Sequence, residues 1–156
     1  MTRLTTHFTL EELCVSSTAT ERGIGNAPTQ MHLNNMIRHL APGLERVRSI
    51  CGDRSMVITS AYRNPEVNRL VGGTPTSAHP MGLAADIRVA GLSSLETARR
   101  IAAAMKRGEI RIDQLILESG RRVVHVSFDP RARMQMGHQP GAAGTPIDWT
   151  FFNTVS

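Results

Sequence analysis

The 156-residue chain is poor in cysteine and in aromatic residues. Its two cysteines, Cys14 and Cys51, are too few for a disulfide scaffold and too far apart for a zinc ribbon, so we expect buried, reduced thiols. One Tyr and one Trp offer few surfaces on which bases could stack. These shortages argue against a disulfide-rich secreted domain and against a binder of single-stranded nucleic acid.

Long hydrophobic runs are also absent. No stretch of about 18 apolar residues occurs, so we expect no transmembrane helix. Residues 1–10 carry one basic residue and no apolar segment, so we expect no secretory signal and synthesis in the host cytoplasm. The length fits a single domain over 1–156, acting as a monomer, with enough chain to bury a hydrophobic core.

The chain carries an excess of positive charge. A net charge of +5 and a pI near 10.5 indicate attraction to polyanions such as nucleic acid, anionic lipid or an acidic wall polymer. The arginines occur as scattered pairs rather than in one stripe, so we expect no nucleic-acid partner. A solvated basic surface is sufficient to explain this charge.

Helical patterns dominate the first third of the chain. Capping-box spacing over 9–12 predicts a short helix at 10–15. Residues 16–28 are rich in Ser, Thr and Gly and are expected to form a loop. Apolar residues at helical period from Leu33 to Val47 predict a longer helix, and Pro42 predicts a kink or break within it.

Strand patterns follow, with helices between them. Strands are expected at 55–62, 84–89, 114–118 and 123–128, and helices at 65–70 and between Ser93 and Gly108. Residues 129–156 show little periodicity and are expected to form an irregular C-terminal wrap, anchored by Trp149, Phe151 and Phe152. This order predicts an α+β fold, a single domain with a small antiparallel sheet flanked by helices.

A histidine–aspartate motif is the most informative feature. Residues 77–86 read S-A-H-P-M-G-L-A-A-D, which places His79 and Asp86 seven positions apart, and His125 lies in the later run V-V-H-V-S-F. Two imidazoles and a carboxylate are a common ligand set for catalytic zinc, which keeps its fourth position open for water. A carboxylate in the predicted buried strand 84–89 is costly unless it is paired or bound to a metal. The motif therefore predicts a zinc hydrolase.

The predicted hairpin supplies a candidate general base, Glu118. A loop of two or four residues pairs Glu118 with Val123 and puts His125 on the same sheet face as Glu118, whereas a three-residue loop puts them on opposite faces. Sharing a face would place a carboxylate beside the water that a bound zinc activates. Asp113 is a weaker candidate, because it precedes the strand.

Each of these residues also has an ordinary structural explanation. His125 could be a hydrogen-bonded core histidine, Asp86 could pair with one of the many arginines, and Glu118 could be a surface charge at a hairpin end. The spacing and the combination of the residues, rather than any one of them, favour the metal site.

The combined motifs resemble the zinc D-alanyl-D-alanine carboxypeptidase and phage endolysin superfamily. Members carry S-x-H-x-x-G-x-A-x-D followed by a histidine in a later strand, as residues 77–86 and His125 do. S-A-Y-R at 60–63, followed by N-P-E-V-N, resembles the segment that supplies a substrate-facing arginine. The opening H-F-T-L-E-E-L and the later N-A-P resemble a phage-rich branch, so the resemblance extends from about His7 to Phe128.

The resemblance implies a zinc-dependent peptidase that cleaves peptide bonds of bacterial peptidoglycan stem peptides, as a phage or prophage lysis enzyme (endolysin) acting on the cell wall. It implies that His79, Asp86 and His125 are the ligands of Zn²⁺. It also implies that Arg63 holds or polarises a substrate carbonyl or carboxylate through its planar guanidinium. Ser77 would be a minor hydrogen-bonding partner of the substrate.

The sequence departs from the family pattern at the expected base. Many members place an acid three residues before the last ligand histidine, where this chain has Arg122, and some place a histidine where it has Val123. Other branches take the base from the end of the preceding strand, which matches Glu118. The departure supports an alternative function: a virion structural or wall-binding protein that keeps the fold without hydrolysis.

Overall fold

A five-stranded mixed sheet organises the computed structural model, which describes residues 1–154. The strands are β1 (Met56–Ser60), β2 (Ala84–Val89), β3 (Gln114–Glu118), β4 (Val123–Ser127) and β5 (Gln135–His138). Their order is β1-β2-β4-β3-β5, and all neighbours pair antiparallel except β3 and β5, which run parallel. The predicted α+β fold is confirmed.

Seven α-helices accompany the sheet within the described residues. They are α1 (Leu10–Cys14), α2 (Ser17–Arg22), α3 (Gln30–Asn35), α4 (Ala41–Ile50), α5 (Pro65–Leu70), α6 (Ser94–Lys106) and α7 (Phe151–Thr154). The capping box predicted at the start of α1 is present, with reciprocal bonds between Thr9 and Glu12. Across residues 1–154, none of the helices has the length and apolar character needed to cross a membrane.

The prediction of a loop over 16–28 is wrong for its first half. The Ser16 hydroxyl accepts a hydrogen bond from the Ala19 amide and begins α2, and Gly23 ends the helix in the left-handed region at a φ of 66°. The sequence S-T-A-T-E-R has the Ser and Thr content of a loop. A cap at each end and burial of Ala19 outweigh the weak helix propensity of these residues.

The predicted distortion of the long helix takes the form of a π-helical segment. Residues Met36–Leu40 adopt π geometry between α3 and α4. Pro42 lies in the first turn of α4 and has no N–H to offer the carbonyl of Arg38, four residues earlier. The Ala41 amide donates to the Met36 carbonyl, five residues earlier, and Asn35, Leu40 and Ala41 all keep right-handed helical backbone angles, so the helix continues through this segment.

The two faces of the sheet have different roles. Alternate residues such as Ile87, Leu115 and Val124 point into the hydrophobic core, where α6 packs on the sheet and α4 packs on α6. The register places Asp86 opposite His125, and His125 opposite Ile116, so this row lies on the other face. One face therefore stabilises the domain, and the opposite face carries the polar residues of the candidate site.

The C-terminal segment is more regular than the sequence indicates. Within 129–156, β5 adds to the sheet edge beside β3, and this parallel pairing makes the sheet mixed rather than purely antiparallel. The four residues Q-M-G-H of β5 include no β-branched residue, so their strand pattern is weak. Phe152 is buried in the core and Phe151 packs against it, whereas Trp149 is 42% exposed. Residues 155 and 156 of the predicted wrap lie outside the described residues.

A single asparagine connects three segments near the candidate site. The Asn26 amide donates to the carbonyls of Cys14 (2.8 Å) and Tyr62 (3.0 Å), and its oxygen accepts from the Asn64 amide at 2.9 Å. Two of these bonds flank Arg63, the predicted substrate-facing arginine. Asn26 thus fixes the backbone on both sides of that residue.

Candidate metal centre

The fold brings His79, Asp86 and His125 together, as the motif predicts. One donor atom from each residue lies within 4.8 Å of the others. Oδ1 of Asp86 is 3.3 Å from Nε2 of His79 and 3.0 Å from Nδ1 of His125. His79 and Asp86 are buried, and the His125 side chain is 12% exposed. The protein thus shields His79 and Asp86 from solvent, and the group is reached beside the partly exposed His125.

A one-turn 3₁₀ helix, His79–Met81, presents the first histidine. The His79 amide donates to the Ser77 hydroxyl at 3.2 Å, which fixes the entry into this turn. Gly82 leaves it at a φ of 72°, and a Cβ there would lie 2.6 Å from the His32 carbonyl oxygen. Glycine is required at 82 because the turn packs directly on the backbone of α3.

The second and third residues of the group are paired across adjacent strands. Asp86 on β2 lies opposite His125 on β4, so the sheet register alone sets their separation. Burial opposes ionisation of Asp86, but the charge of His79 and the hydrogen bonds of His125 and His79 hold the pKa of the Asp86 carboxyl well below its usual value. The carboxylate is therefore ionised throughout the neutral range.

The protonation pattern of His79 fits a bound cation. Its Nδ1 lies 2.6 Å from the Ala61 carbonyl oxygen, which can only accept, so Nδ1 carries a proton. Burial lowers the pKa of His79, which disfavours a second proton on Nε2. The Nε2 lone pair then faces the Asp86 carboxylate at 3.3 Å, a contact of two acceptors that either a shared proton or a bound cation satisfies.

The distances also suit zinc. Ligands at about 2.0–2.2 Å from a tetrahedral zinc ion lie about 3.3–3.6 Å from one another. The contacts of Asp86 with the two histidines are close to this range. The Ala61 carbonyl has the orienting role that a backbone acceptor commonly plays behind a ligand histidine. His79 through Nε2, Asp86 through Oδ1 and His125 through Nδ1 could hold the ion.

Glu118 shares the sheet face of the candidate metal group. Four residues separate β3 from β4, Glu118 pairs with Val123, and Ile116 pairs with His125. The predicted same-face geometry is therefore observed. Burial and the nearby Asp86 charge raise the pKa of Glu118, although His125, Arg121 and Arg63 oppose the shift. Oε1 is ion-paired with Arg121, and Oε2 is buried without a hydrogen-bond partner.

Arg63 is held beside the same group. Its side chain is buried, its Nε has no hydrogen-bond partner, and its backbone amide donates to the His79 carbonyl at 3.4 Å. Burial lowers the pKa of Arg63, while the charges of Asp86 and Glu118 favour the charged form. A buried guanidinium with an unused donor offers a hydrogen bond to an incoming group.

A cleft of about 480 Å³ opens over these residues. Its floor contains Arg63, His79, Asp86, Glu118 and His125. One wall comes from the loop 71–78, which includes Ser77, and the other comes from β3 and the segment 131–147. All six predicted site residues therefore lie in one cavity.

Asp113, the weaker candidate for the general base, does not line this cavity, and both of its carboxylate oxygens already accept hydrogen bonds. The guanidinium of Arg133 donates to both of its carboxylate oxygens at 2.8 and 2.7 Å, and the Arg133 amide donates a third bond at 3.0 Å. These bonds lower the pKa of Asp113. Through these bonds Asp113 links the segment before β5 to the start of β3.

Three features of the site have no clear signal in the sequence. Arg121 follows Glu118 by three residues, but only the fold shows that the two pair. The Ala61 carbonyl orients His79, and a backbone group has no side-chain signature. Segment 131–147 forms a wall of the cleft although its composition resembles a loop.

The comparison with protein families agrees with this geometry. The family model described as Peptidase M15 matches residues 6–127, which include His79, Asp86, Glu118 and His125. No match was found among the curated proteins. Because the matched region covers most of the sequence and all three residues of the candidate metal group, the chain belongs to the Peptidase M15 family.

Proposed function

We propose that this protein is a zinc-dependent peptidase that cleaves peptide bonds in bacterial peptidoglycan. The observation that carries the proposal is the buried group of His79, Asp86 and His125, whose donor atoms converge at the floor of an open cleft. Membership of the Peptidase M15 family supports peptide hydrolysis as its chemistry. We assign these three residues as the zinc ligands.

The residues around the ligands have complementary roles in the proposed reaction. A zinc ion held by the ligands would supply Lewis-acid activation at the cleft floor. Glu118 would take a proton from the attacking water as the C–O bond forms, and would then return that proton to the amine nitrogen as the C–N bond breaks. Arg63 would donate to the carbonyl oxygen of the substrate or to a carboxylate, and Ser77 would bond the peptide weakly.

The raised pKa of Glu118 suits this role. A carboxylate is a better proton acceptor when its pKa lies closer to the working pH, and burial beside Asp86 moves the Glu118 pKa in that direction. Oε2 is buried and has no hydrogen-bond partner in the structure, so it is the oxygen of Glu118 left to accept a proton.

We further propose that the enzyme serves phage or prophage lysis. The opening H-F-T-L-E-E-L and the later N-A-P motif, both resembling a phage-rich branch, support this role. In the structure the asparagine of that motif, Asn26, fixes the backbone beside Arg63. The net charge of +5 would favour contact with anionic wall polymers.

A structural or wall-binding protein is the second candidate, and one observation favours it. One carboxylate oxygen of Glu118, the candidate base, is already ion-paired with Arg121. Arg122 also stands where many members of the family have an acid. A chain that had lost hydrolysis could tolerate such an arrangement.

Digestion of purified peptidoglycan distinguishes the two candidates. We expect the zinc-loaded protein to release new amino groups, a chelator to abolish the release, and restored zinc to recover it. Glu118→Gln should keep stoichiometric zinc but lose about 10²–10⁴-fold in rate, because only the proton acceptor changes. Glu66→Gln, an exposed control, should match the parent. Release that persists after complete metal removal contradicts the zinc proposal, and no release from fully loaded protein favours the structural candidate.

A further inference from the structure

One wall of the cleft comes from a part of the chain beyond the family match. The match ends at residue 127, whereas Gln139, Ala143, Gly144 and Ile147 all line the cavity. We call residues 139–148 the strap. It extends from the end of β5 to a backbone bridge in which His138 and Asp148 exchange hydrogen bonds of 3.0 and 2.8 Å.

Hydrogen bonds within the strap and to β3 hold it in place. The buried Gln139 side chain donates to the Thr145 carbonyl at 2.9 Å, and its backbone amide donates to Leu117 on β3 at 2.8 Å. The Thr145 amide and hydroxyl both donate to the Ala142 carbonyl, at 3.1 and 2.6 Å. These bonds hold the turn in one conformation over the cleft.

A glycine in β5 lets the strap pack closely against the sheet. Gly137 on β5 pairs with Ile116, in the same row as the candidate ligands Asp86 and His125. A Cβ at Gly137 would lie 2.6 Å from the Ile147 side chain, so only glycine lets the strap lie this close to the sheet.

At its tip the strap meets the opposite wall of the cleft. A Cβ at Gly72, which follows α5, would lie 3.6 Å from the Ala143 Cβ. Gly72 has a φ of 80°, where a larger residue is strained. Gly72 and Ala143 thus lie nearly in contact, so the strap and the loop after α5 close one side of the cleft, and a larger side chain at 143 would be forced against Gly72 or into the cleft.

From this geometry we propose that the strap is a specificity element and that Ala143 determines which peptides reach the metal centre. The inference rests on the proposed peptidase function and deepens it. Because Gly72 and Ala143 lie so close together, a peptide that passes this side of the cleft has room only for small side chains, and Gly73, Thr74 and Gly144 of the same lining are uncharged. A bulky residue on either the substrate or the strap would collide with the facing wall.

Two adjacent alanines provide a matched test. Ala143 lines the cleft, whereas Ala142 is exposed and lies outside the cavity lining. The variants Ala142→Leu, Ala143→Leu and Ala143→Gly are made in zinc-loaded Glu118→Gln protein. Binding of a synthetic stem pentapeptide that ends in two D-alanines is then measured calorimetrically, beside an analogue with D-leucine in place of each of these D-alanines.

We expect Ala143→Leu to weaken pentapeptide binding about ten-fold or more and Ala142→Leu to leave it within about two-fold. Ala143→Gly should keep the affinity and reduce discrimination against D-leucine. Equal effects of the two leucine variants, or no effect of Ala143→Leu, would overturn the proposal, and so would absence of pentapeptide binding by the Glu118→Gln parent. Thermal unfolding of each variant checks that the fold is kept. If the Glu118→Gln protein binds the pentapeptide but the wild-type protein does not hydrolyse it, only the proposed peptidase function is contradicted.

Discussion

At the scale of single residues, the environment of Glu118 decides how the proposed chemistry depends on pH. Burial and the charge of Asp86 raise its pKa, and Arg121, which is ion-paired with Oε1, is among the positive charges that lower it. A general base must be deprotonated to act. Activity is therefore expected to fall as pH falls through the Glu118 pKa, which lies above the usual value for a glutamate in the metal-free protein and which the charge of a bound zinc ion would lower.

Arg121→Gln tests this balance. Removing the positive charge should raise the Glu118 pKa further, so the acid limb of kcat/KM should move to higher pH. Arg122→Gln is the control, because the Arg122 side chain is exposed and its carbonyl, which accepts from Arg88 at 3.1 Å, is retained. The measurement is kcat/KM against pH on soluble peptidoglycan fragments. An acid limb that moves equally in both variants, or moves to lower pH in Arg121→Gln, contradicts the assignment of Glu118 as the base.

At the scale of elements, the site depends on loops that are held by side-chain hydrogen bonds. β1 and α5 are separated by residues 61–64, which supply the Ala61 carbonyl and Arg63. Asn26 bonds both Tyr62 and Asn64 in this connection. The loop is thereby ordered without secondary structure of its own.

Asn26→Ala should destabilise the protein and displace Arg63. Three partly buried hydrogen bonds are lost and their backbone partners are left unpaired, so we expect the free energy of unfolding to fall by about 1–3 kcal/mol. Asn34→Ala, at an exposed position on α3, should change it by less than about 0.5 kcal/mol. Denaturant unfolding of the two variants gives the comparison. Equal stability of the two variants would show that the connection is held by other contacts.

Element prediction from sequence worked where the signal is local. The capping box of α1, the helix α5 over 65–70 and the strand β2 over 84–89 follow from neighbouring residues, and all three are confirmed. The sequence patterns did not predict β5 or α2. Burial on the fold makes a strand of Q-M-G-H and a helix of a Ser- and Thr-rich segment, and burial depends on residues far away in the chain.

At the scale of the whole molecule, the proposed metal couples to folding. The candidate ligands come from a turn and two strands, so they converge only in the folded state. A ligand that binds the folded state alone stabilises it by RT ln(1 + [L]/Kd), which is about 2.7 kcal/mol at a concentration of 100 Kd.

Zinc should therefore raise the temperature of unfolding, and a chelator should lower it to that of the metal-free protein. Asp86→Asn should abolish most of the zinc-dependent shift, because the anionic ligand is lost. Asp53→Asn, at an exposed position in the left-handed region that asparagine also tolerates, should keep the full shift. Differential scanning calorimetry with and without zinc measures the effect. Identical shifts in the two variants would place the zinc at another site.

The sequence by itself determined the α+β fold, the family and the choice of six residues that share one cleft, because strand period, capping and motif spacing are properties of short segments. Only the tertiary structure decided what surrounds them: the Ala61 carbonyl behind His79, the Arg121 ion pair on Glu118, and the strap that faces Gly72. These contacts join residues that are distant in the chain or depend on how the hairpin end folds. Packing of the complete domain sets them, and no local pattern encodes that packing.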